Sequence, residues 1–129
     1  MFWAIAVGSA VGGVSRYYLS SSVQQRLGAT FPWGTLLVNV IGSLIVGFVI
    51  KYALATPAVT AEMRALLTTG FCGGFTTFSA YSLETATLME EGQYERAGVY
   101  AFGSVLLAVA ATFCGFVLAR ELIGFRARV

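Results

Sequence analysis

The sequence predicts an all-α integral membrane protein with four transmembrane helices, and three observations support this prediction. Of the 129 residues, 57% are hydrophobic and only 11% are charged, which is about half the charged fraction of a soluble domain. Four apolar segments have about the 20 residues that a helix needs to cross a bilayer. The segments between them are short, so we expect a single four-span membrane domain over residues 1–129.

The four predicted spans follow one another with turn and charge signals between them. They cover roughly residues 2–19, 33–54, 65–89 and 97–119. The first connecting segment is rich in Ser and Gln and ends at Pro32, the second contains Pro57, and the third is the polar run 90–96. No basic region or cleavage site accompanies the first apolar segment, so we interpret it as a membrane span rather than a signal peptide.

Glycines recur within the first two spans. Ala4, Gly8 and Gly12 repeat at four-residue spacing in span one, and Gly42 and Gly47 lie in span two. Small residues on one helix face let two backbones approach closely in lipid. We therefore expect these positions to be sites of tight helix packing.

The third span contains the segment that least resembles a lipid-facing helix. Residues 70–82 read Gly-Phe-Cys-Gly-Gly-Phe-Thr-Thr-Phe-Ser-Ala-Tyr-Ser, with three glycines and four Ser or Thr hydroxyls. This composition disfavours an uninterrupted helix. Non-helical backbone at membrane depth is tolerated only where protein covers it or where it lines a wet cavity. We predict a break in the middle of this span, with the helix restarting near Phe78 and with freed carbonyls and hydroxyls of the kind that build ion sites.

The basic residues predict the orientation of the chain only weakly. With four spans, both termini and the second loop share one side of the membrane. Five cationic residues lie on that side and three on the other: Lys51, Arg64, Arg120, Arg126 and Arg128 against Arg16, Arg26 and Arg96. Three of the five lie in or next to the C-terminal tail, so the positive-inside rule gives little preference. This balance is expected of a chain that inserts in both orientations, and equally of an ordinary protein with a weak bias.

Polar and aromatic side chains in spans two and three are the first candidates for a binding role. Asn39 lies near the middle of span two, where an amide either bonds a neighbouring helix or offers its two N–H donors to an anion. Phe78 and Tyr81 are three residues apart and share a helix face, alternating with the hydroxyls of Thr77 and Ser79. A positive ring edge suits an anion. We interpret this set as pore lining, against the alternative of plain packing.

Other candidates lie near the end of span one, late in span three and along span four. Tyr100, Ser104 and Thr112 form a polar stripe interrupted at 108, which fits either a pathway or helix–helix hydrogen bonding. Arg16 either snorkels to the interface or attracts anions to a vestibule. Glu84 either orients the broken helix or takes part in proton transfer.

Composition excludes several classes of function. The chain has no His and no Asp, which removes most general-base and metal-ligand arrangements and leaves no convincing nucleophile–base pair for an enzyme. A scattered formal charge of +2 does not suit nucleic acid. Cys72 and Cys114 lie in apolar segments, and we expect free, buried thiols. Four spans enclose a hydrated pore poorly, so transport would need a dimer or larger assembly with sites at the subunit boundary.

Two segments resemble the signatures of the Fluc, or CrcB, fluoride channels. They are Trp-Gly-Thr-Leu-Leu-Val-Asn at 33–39 and Gly-Phe-Cys-Gly-Gly-Phe-Thr-Thr-Phe-Ser at 70–79. The pattern from Gly12 to Arg16, the length and the number of spans also agree, so the resemblance covers essentially the whole chain. It implies a passive, selective channel that exports fluoride across the inner (plasma) membrane as a multi-pass protein and so lowers fluoride toxicity.

The resemblance also implies an assembly and a cation. Family members form antiparallel dual-topology homodimers with two pores, and a structural sodium ion lies at the dimer interface. On this chain the sodium ligands would be the backbone carbonyls of Gly73 and Thr76.

The fluoride pathway carries over residue by residue. The ring pair corresponds to Phe78 and Tyr81, the pore amide to Asn39, and the vestibule arginine to Arg16. The hydroxyl track on span four corresponds to Tyr100, Ser104 and Thr112. Tyr81 replaces the usual Phe, keeping the ring edge and adding a hydroxyl donor, and Ala108 stands where some members have a hydroxyl.

Two other classes of membrane protein remain as alternatives. A small multidrug-resistance-type exporter also has four spans and can form a dual-topology dimer, but it couples protons through an acidic residue in span one, and span one here has none. A purely structural subunit is the second alternative.

Overall fold

The computed structural model describes residues 1–128, and these form helices without any strand. The all-α fold class is therefore confirmed. Three long helices and one interrupted segment follow in order: α1 (Phe2–Leu27), α2 (Trp33–Ala55), then α3 (Ala61–Ala65), a π-helical stretch (Leu66–Cys72), α4 (Gly73–Phe75) and α5 (Phe78–Glu90), and finally α6 (Tyr94–Arg126). The interrupted segment corresponds to predicted span three.

Four helical segments match the four predicted spans, and two of them, α2 and α6, are by themselves long and apolar enough to cross a membrane. The third segment does not meet that criterion because its break leaves pieces shorter than a bilayer requires. Helix α1 does not meet the criterion either, and its last two turns are mainly polar. Large apolar side chains on α6 are uncovered within the chain, including Phe102, Leu106 and Phe113. A lipid or partner environment suits such a surface.

Helix α1 is longer than the span predicted for it. The mainly polar residues 20–26 continue the helix to Leu27 because Ser, Gln and Arg are compatible with a helix outside the hydrocarbon. The helix ends at Leu27 and is followed by Gly28, whose φ of 90° favours glycine. The Gln24 side chain holds the following turn: Nε2 donates to the Phe31 carbonyl (2.9 Å) and Oε1 accepts from the Gly34 N–H (3.1 Å). Helix α6 likewise extends past both predicted ends.

Glycine contacts set the distance between α1 and the interrupted segment. A Cβ at Gly8 would collide with the Leu66 carbonyl oxygen, and one at Gly12 with the Phe71 carbonyl oxygen. On the other side, a Cβ at Gly74 would meet the Ser9 carbonyl. The predicted close packing at Gly8 and Gly12 is thereby confirmed.

Helices α2 and α6 pack in parallel through a second glycine contact. Gly47 lies against the Thr112 backbone, while Gly115 lies against Leu44. One turn past Gly47, Lys51 lies over the Phe116 ring at 5.5 Å. Contacts along the whole length show that the two helices run in the same direction: Phe31 meets Tyr100, Ser43 meets Thr112, and Tyr52 meets Arg126. Both cysteines are free, as expected, but only Cys72 is buried; Cys114 is exposed on α6.

Neighbouring glycines on α1 provide a test of this packing. Gly12→Ala should lower the melting temperature of the detergent-solubilised protein, because the new methyl forces backbone apart at a cost of about 1–3 kcal/mol. Gly13→Ala is the matched control: it gains the same helix propensity, but its Cβ meets nothing within 4 Å. Equal melting temperatures for the two variants would contradict the proposed contact.

Candidate functional site

The third segment is broken at Thr76 and Thr77, whose backbones are extended, with φ −89°, ψ 162° and φ −153°, ψ 116° respectively. The preceding glycines remain helical. Helix α5 restarts at Phe78, as predicted, and the Thr77 hydroxyl caps it by accepting the Ala80 N–H at 3.1 Å. The break therefore lies within the predicted segment, at Thr76 and Thr77 and not at its glycines.

Asn39 of α2 forms hydrogen bonds with the backbone at the break. Its Oδ1 accepts the Thr77 N–H at 2.7 Å, and its Nδ2 donates to the Thr77 carbonyl at 3.0 Å. Both backbone groups of Thr77 are thus satisfied by one side chain. An amide has two N–H donors, so one N–H of Asn39 remains available for another ligand.

Two carbonyls next to the break, those of Gly73 and Thr76, lose their helical donors. In a continuous helix the N–H of Thr77 would bond the Gly73 carbonyl and that of Ala80 would bond the Thr76 carbonyl. These N–H groups instead bond Asn39 and the Thr77 hydroxyl. Arg16 of α1 donates from Nη1 to the Thr76 carbonyl at 3.1 Å. A carbonyl oxygen has two lone pairs, so both oxygens retain the capacity to accept another ligand.

Phe78 and Tyr81 form the predicted pair on one face of α5. Their ring centroids are 5.3 Å apart with an interplanar angle of 39°. Phe78 is 77% exposed within the chain. The Tyr81 hydroxyl donates to the Ala101 carbonyl at 2.9 Å. The donor expected from Tyr81 is therefore used to tie α5 to α6.

A groove of about 410 Å³, which we call the break groove, runs along the broken segment. It collects Asn39, Thr77, Phe78, Tyr81 and Ser104 from the predicted pathway, together with the predicted cation ligands Gly73 and Thr76. The remaining lining residues are Gly42, Ser43, Val46, Thr68, Cys72, Val105 and Ala108. The wall is mainly apolar, with a few polar groups at defined points, as is usual for a selective site.

A second groove of about 490 Å³, the arginine groove, lies on the other side of the break. Arg16 and Ser79 line this groove and not the break groove, whereas Thr77 lines both. Thr35 and Glu84 also line it. Seven of the nine predicted pathway residues are therefore divided between two grooves that meet at Thr77, whereas Tyr100 and Thr112 line neither groove.

The polar stripe on α6 does not form one continuous row of donors. Tyr100 is 1% exposed, and its hydroxyl donates to Glu84 Oε2 at 2.6 Å. The Thr112 hydroxyl lies 3.2 Å from the Ser43 carbonyl and 3.1 Å from the Ala108 carbonyl. Ser104 is buried in the groove wall, and its hydroxyl has no hydrogen-bond partner within residues 1–128. Of the three residues, only Ser104 lines the break groove, and its buried hydroxyl is free of partners within residues 1–128.

Glu84 links three helices. Its carboxyl accepts from the Thr35 hydroxyl of α2 at 2.7 Å and from Tyr100 of α6 at 2.6 Å. Of the two roles left open for Glu84, orienting the broken helix has direct support from these contacts. Thr35 is not among the residues predicted for the site, although it is four positions before Asn39 and therefore shares its helix face.

Known proteins are similar to this chain over most of its length. The family model for "CrcB-like protein, Camphor Resistance (CrcB)" matches residues 3–116. A Geobacter sulfurreducens protein named "Fluoride-specific ion channel FluC" is 47% identical over 119 residues, which is 92% of this chain and 96% of the relative. Proteins of the same name from Roseiflexus sp. and Aquifex aeolicus are 49% and 42% identical, covering 92% and 93% of this chain and 96% and 97% of their own.

The Glu84–Tyr100 contact can be tested by removing one partner and then both. Glu84→Ala should lower the melting temperature, because an unsatisfied buried hydroxyl at Tyr100 costs about 1–3 kcal/mol. Adding Tyr100→Phe should restore part of the loss, since it removes that hydroxyl. Glu90→Ala, an exposed position at the end of the same helix, is the control and should change little. Simple addition of the two losses in the double variant would refute the coupling.

Proposed function

The chain belongs to the CrcB family, and on this premise we propose that it is a passive, fluoride-selective channel that lets fluoride leave the cytoplasm across the plasma membrane. The observation that carries the proposal is the 42–49% identity, over more than nine-tenths of the chain, to proteins named fluoride-specific ion channels. None of these names describes an enzyme. Nothing in the comparisons favours the multidrug-exporter alternative.

The chemistry of the break groove suits a small, strongly hydrated anion. Leaving water is costly for fluoride unless fixed donors replace its hydration shell. The groove is lined by Ser104, whose buried hydroxyl is unpaired within residues 1–128, and by Asn39, which has one remaining N–H. The exposed ring of Phe78 adds a positive edge. Arg16, in the neighbouring groove, would raise the local concentration of anions.

We further propose that the working unit is an antiparallel, dual-topology homodimer with two pores. Support comes from the surfaces that one chain leaves uncovered: the break groove is open along one side, and Phe78 projects from its edge. A second copy would cover this side and complete each pathway. The weak charge bias between the two ends of the chain is compatible with insertion in both orientations.

A structural sodium ion would be held by the carbonyls of Gly73 and Thr76. Both oxygens have lost their helical donors because Asn39 and the Thr77 hydroxyl take the N–H groups that would have bonded them. Carbonyl oxygens are the ligand type that Na⁺ accepts in membrane sites. The Arg16 guanidinium on Thr76 occupies one lone pair and leaves one. When bound, the ion would stabilise the interface and supply a fixed positive potential.

The function is tested by fluoride efflux from liposomes that contain the purified protein and are loaded with potassium fluoride. With valinomycin present, the wild type should release fluoride and should not release chloride from chloride-loaded vesicles. Asn39→Asp should abolish efflux, because a carboxylate loses the donor to Thr77 and repels the anion at the groove wall. Gln25→Glu makes the same change at an exposed position and should retain efflux.

The two ways in which this experiment can fail have different meanings. Absence of fluoride efflux from the wild type, with the dimer intact on gel filtration, would reject the channel function. Near-normal efflux through Asn39→Asp would leave the function standing and remove Asn39 from the pathway.

The dual topology is tested with one introduced cysteine. Ala58 is exposed in the second loop, and unlike Thr60 it does not cap α3. Ala58→Cys, in a background with Cys72→Ala and Cys114→Ala, is treated in sealed vesicles with an impermeant thiol reagent. About half of the chains should react from outside, as the positive-inside balance allows, and the rest only after the membrane is opened. Labelling of nearly all chains from one side would exclude the antiparallel dimer.

A further inference from the structure

Helices α2 and α6 contribute one wall of the break groove, and this wall has two levels. Asn39 and Ser43 lie one turn apart on α2, and Ser104 and Ala108 lie one turn apart on α6; all four line the groove. One turn of helix is about 5.4 Å. The first level holds the donors of Asn39 and Ser104, and the second holds Ser43 opposite Ala108.

A single hydroxyl places residues 43 and 108 at the same depth. Thr112 Oγ1 lies 3.2 Å from the Ser43 carbonyl oxygen and 3.1 Å from the Ala108 carbonyl oxygen. Because α2 and α6 run in parallel and Gly47 and Gly115 hold them in contact, the two positions face the groove together. At this level α6 offers only a methyl group.

The hydroxyl of Ser43 is available to the groove. The hydrogen bond from α6 to this residue uses its carbonyl, and within residues 1–128 its hydroxyl takes part in no hydrogen bond like those of Thr35, Thr68 or Thr112. The other groove residues near this level include Val46 and Val105, which offer nothing to an anion. An ion that passes the first level would therefore meet an apolar stretch unless Ser43 donates to it.

We infer that Ser43 supplies the hydrogen-bond donor for fluoride at the second level of the pathway, in place of the side chain at position 108. The inference rests on the proposed channel function. The donor is thereby carried by α2 instead of α6, while its depth in the groove is kept. The second level would bind the anion through one hydroxyl, which favours release after binding.

The test removes the hydroxyl at position 43 on α2 and then introduces one at position 108 on α6. Ser43→Ala should reduce fluoride efflux from liposomes about tenfold or more, a factor that corresponds to about 1.4 kcal/mol and lies near the lower end of hydrogen bonds to charged groups. Ser43→Ala combined with Ala108→Ser restores a hydroxyl at the same level and should return efflux to within about threefold of the wild type. Ser15→Ala, on α1 and outside the grooves, is the matched control.

Each result decides the inference. Wild-type efflux through Ser43→Ala overturns it while leaving the channel function intact. A loss at Ser43→Ala that Ala108→Ser does not rescue also overturns it, because the serine then acts through packing. A loss with rescue, with gel filtration and melting temperature unchanged throughout, supports it. A wild type that releases no fluoride rejects the proposed function itself.

Discussion

The backbone at Thr76 and Thr77 is the constraint on which the rest of the structure depends. Extended peptide groups in the middle of a bilayer find no water, and each unsatisfied buried group costs about 1–3 kcal/mol. Asn39, Arg16 and the Thr77 hydroxyl supply partners. Two of these side chains come from other helices, so the break determines where α1 and α2 must lie.

The glycine contacts are what allow those side chains to reach the break. Gly8, Gly12 and Gly74 bring α1 and the interrupted segment to backbone contact, which places the Arg16 guanidinium at the Thr76 carbonyl. Gly47 and Gly115 do the same for α2 and α6. Close approach in lipid depends on small residues because apolar side chains gain nothing there by leaving solvent. Packing and polar satisfaction therefore support each other.

The groups that repair the break also create the chemistry of the site. By accepting the Thr77 N–H, Asn39 frees the Gly73 carbonyl, and it keeps one N–H of its own without a partner within residues 1–128. Free hydrogen-bond donors and carbonyl oxygens with spare lone pairs thus arise at the same point from one rearrangement. Thr77 lines both grooves, so any change in its backbone alters both.

The sequence by itself determined the helical segments, the interruption within residues 70–82, the restart near Phe78 and the polar residues that were candidates for the site. These depend on local properties: apolar length, glycine and hydroxyl content, and helical spacing. The tertiary structure decided which of them share a groove. The Thr112 hydroxyl bonds the Ser43 and Ala108 backbones, and Tyr100 bonds Glu84. Arg16 and Ser79 lie across the break from Phe78. Ser43 lies level with Ala108. The rotation of each helix about its axis depends on contacts with residues far away in the chain, and spacing along one helix carries no information about that rotation.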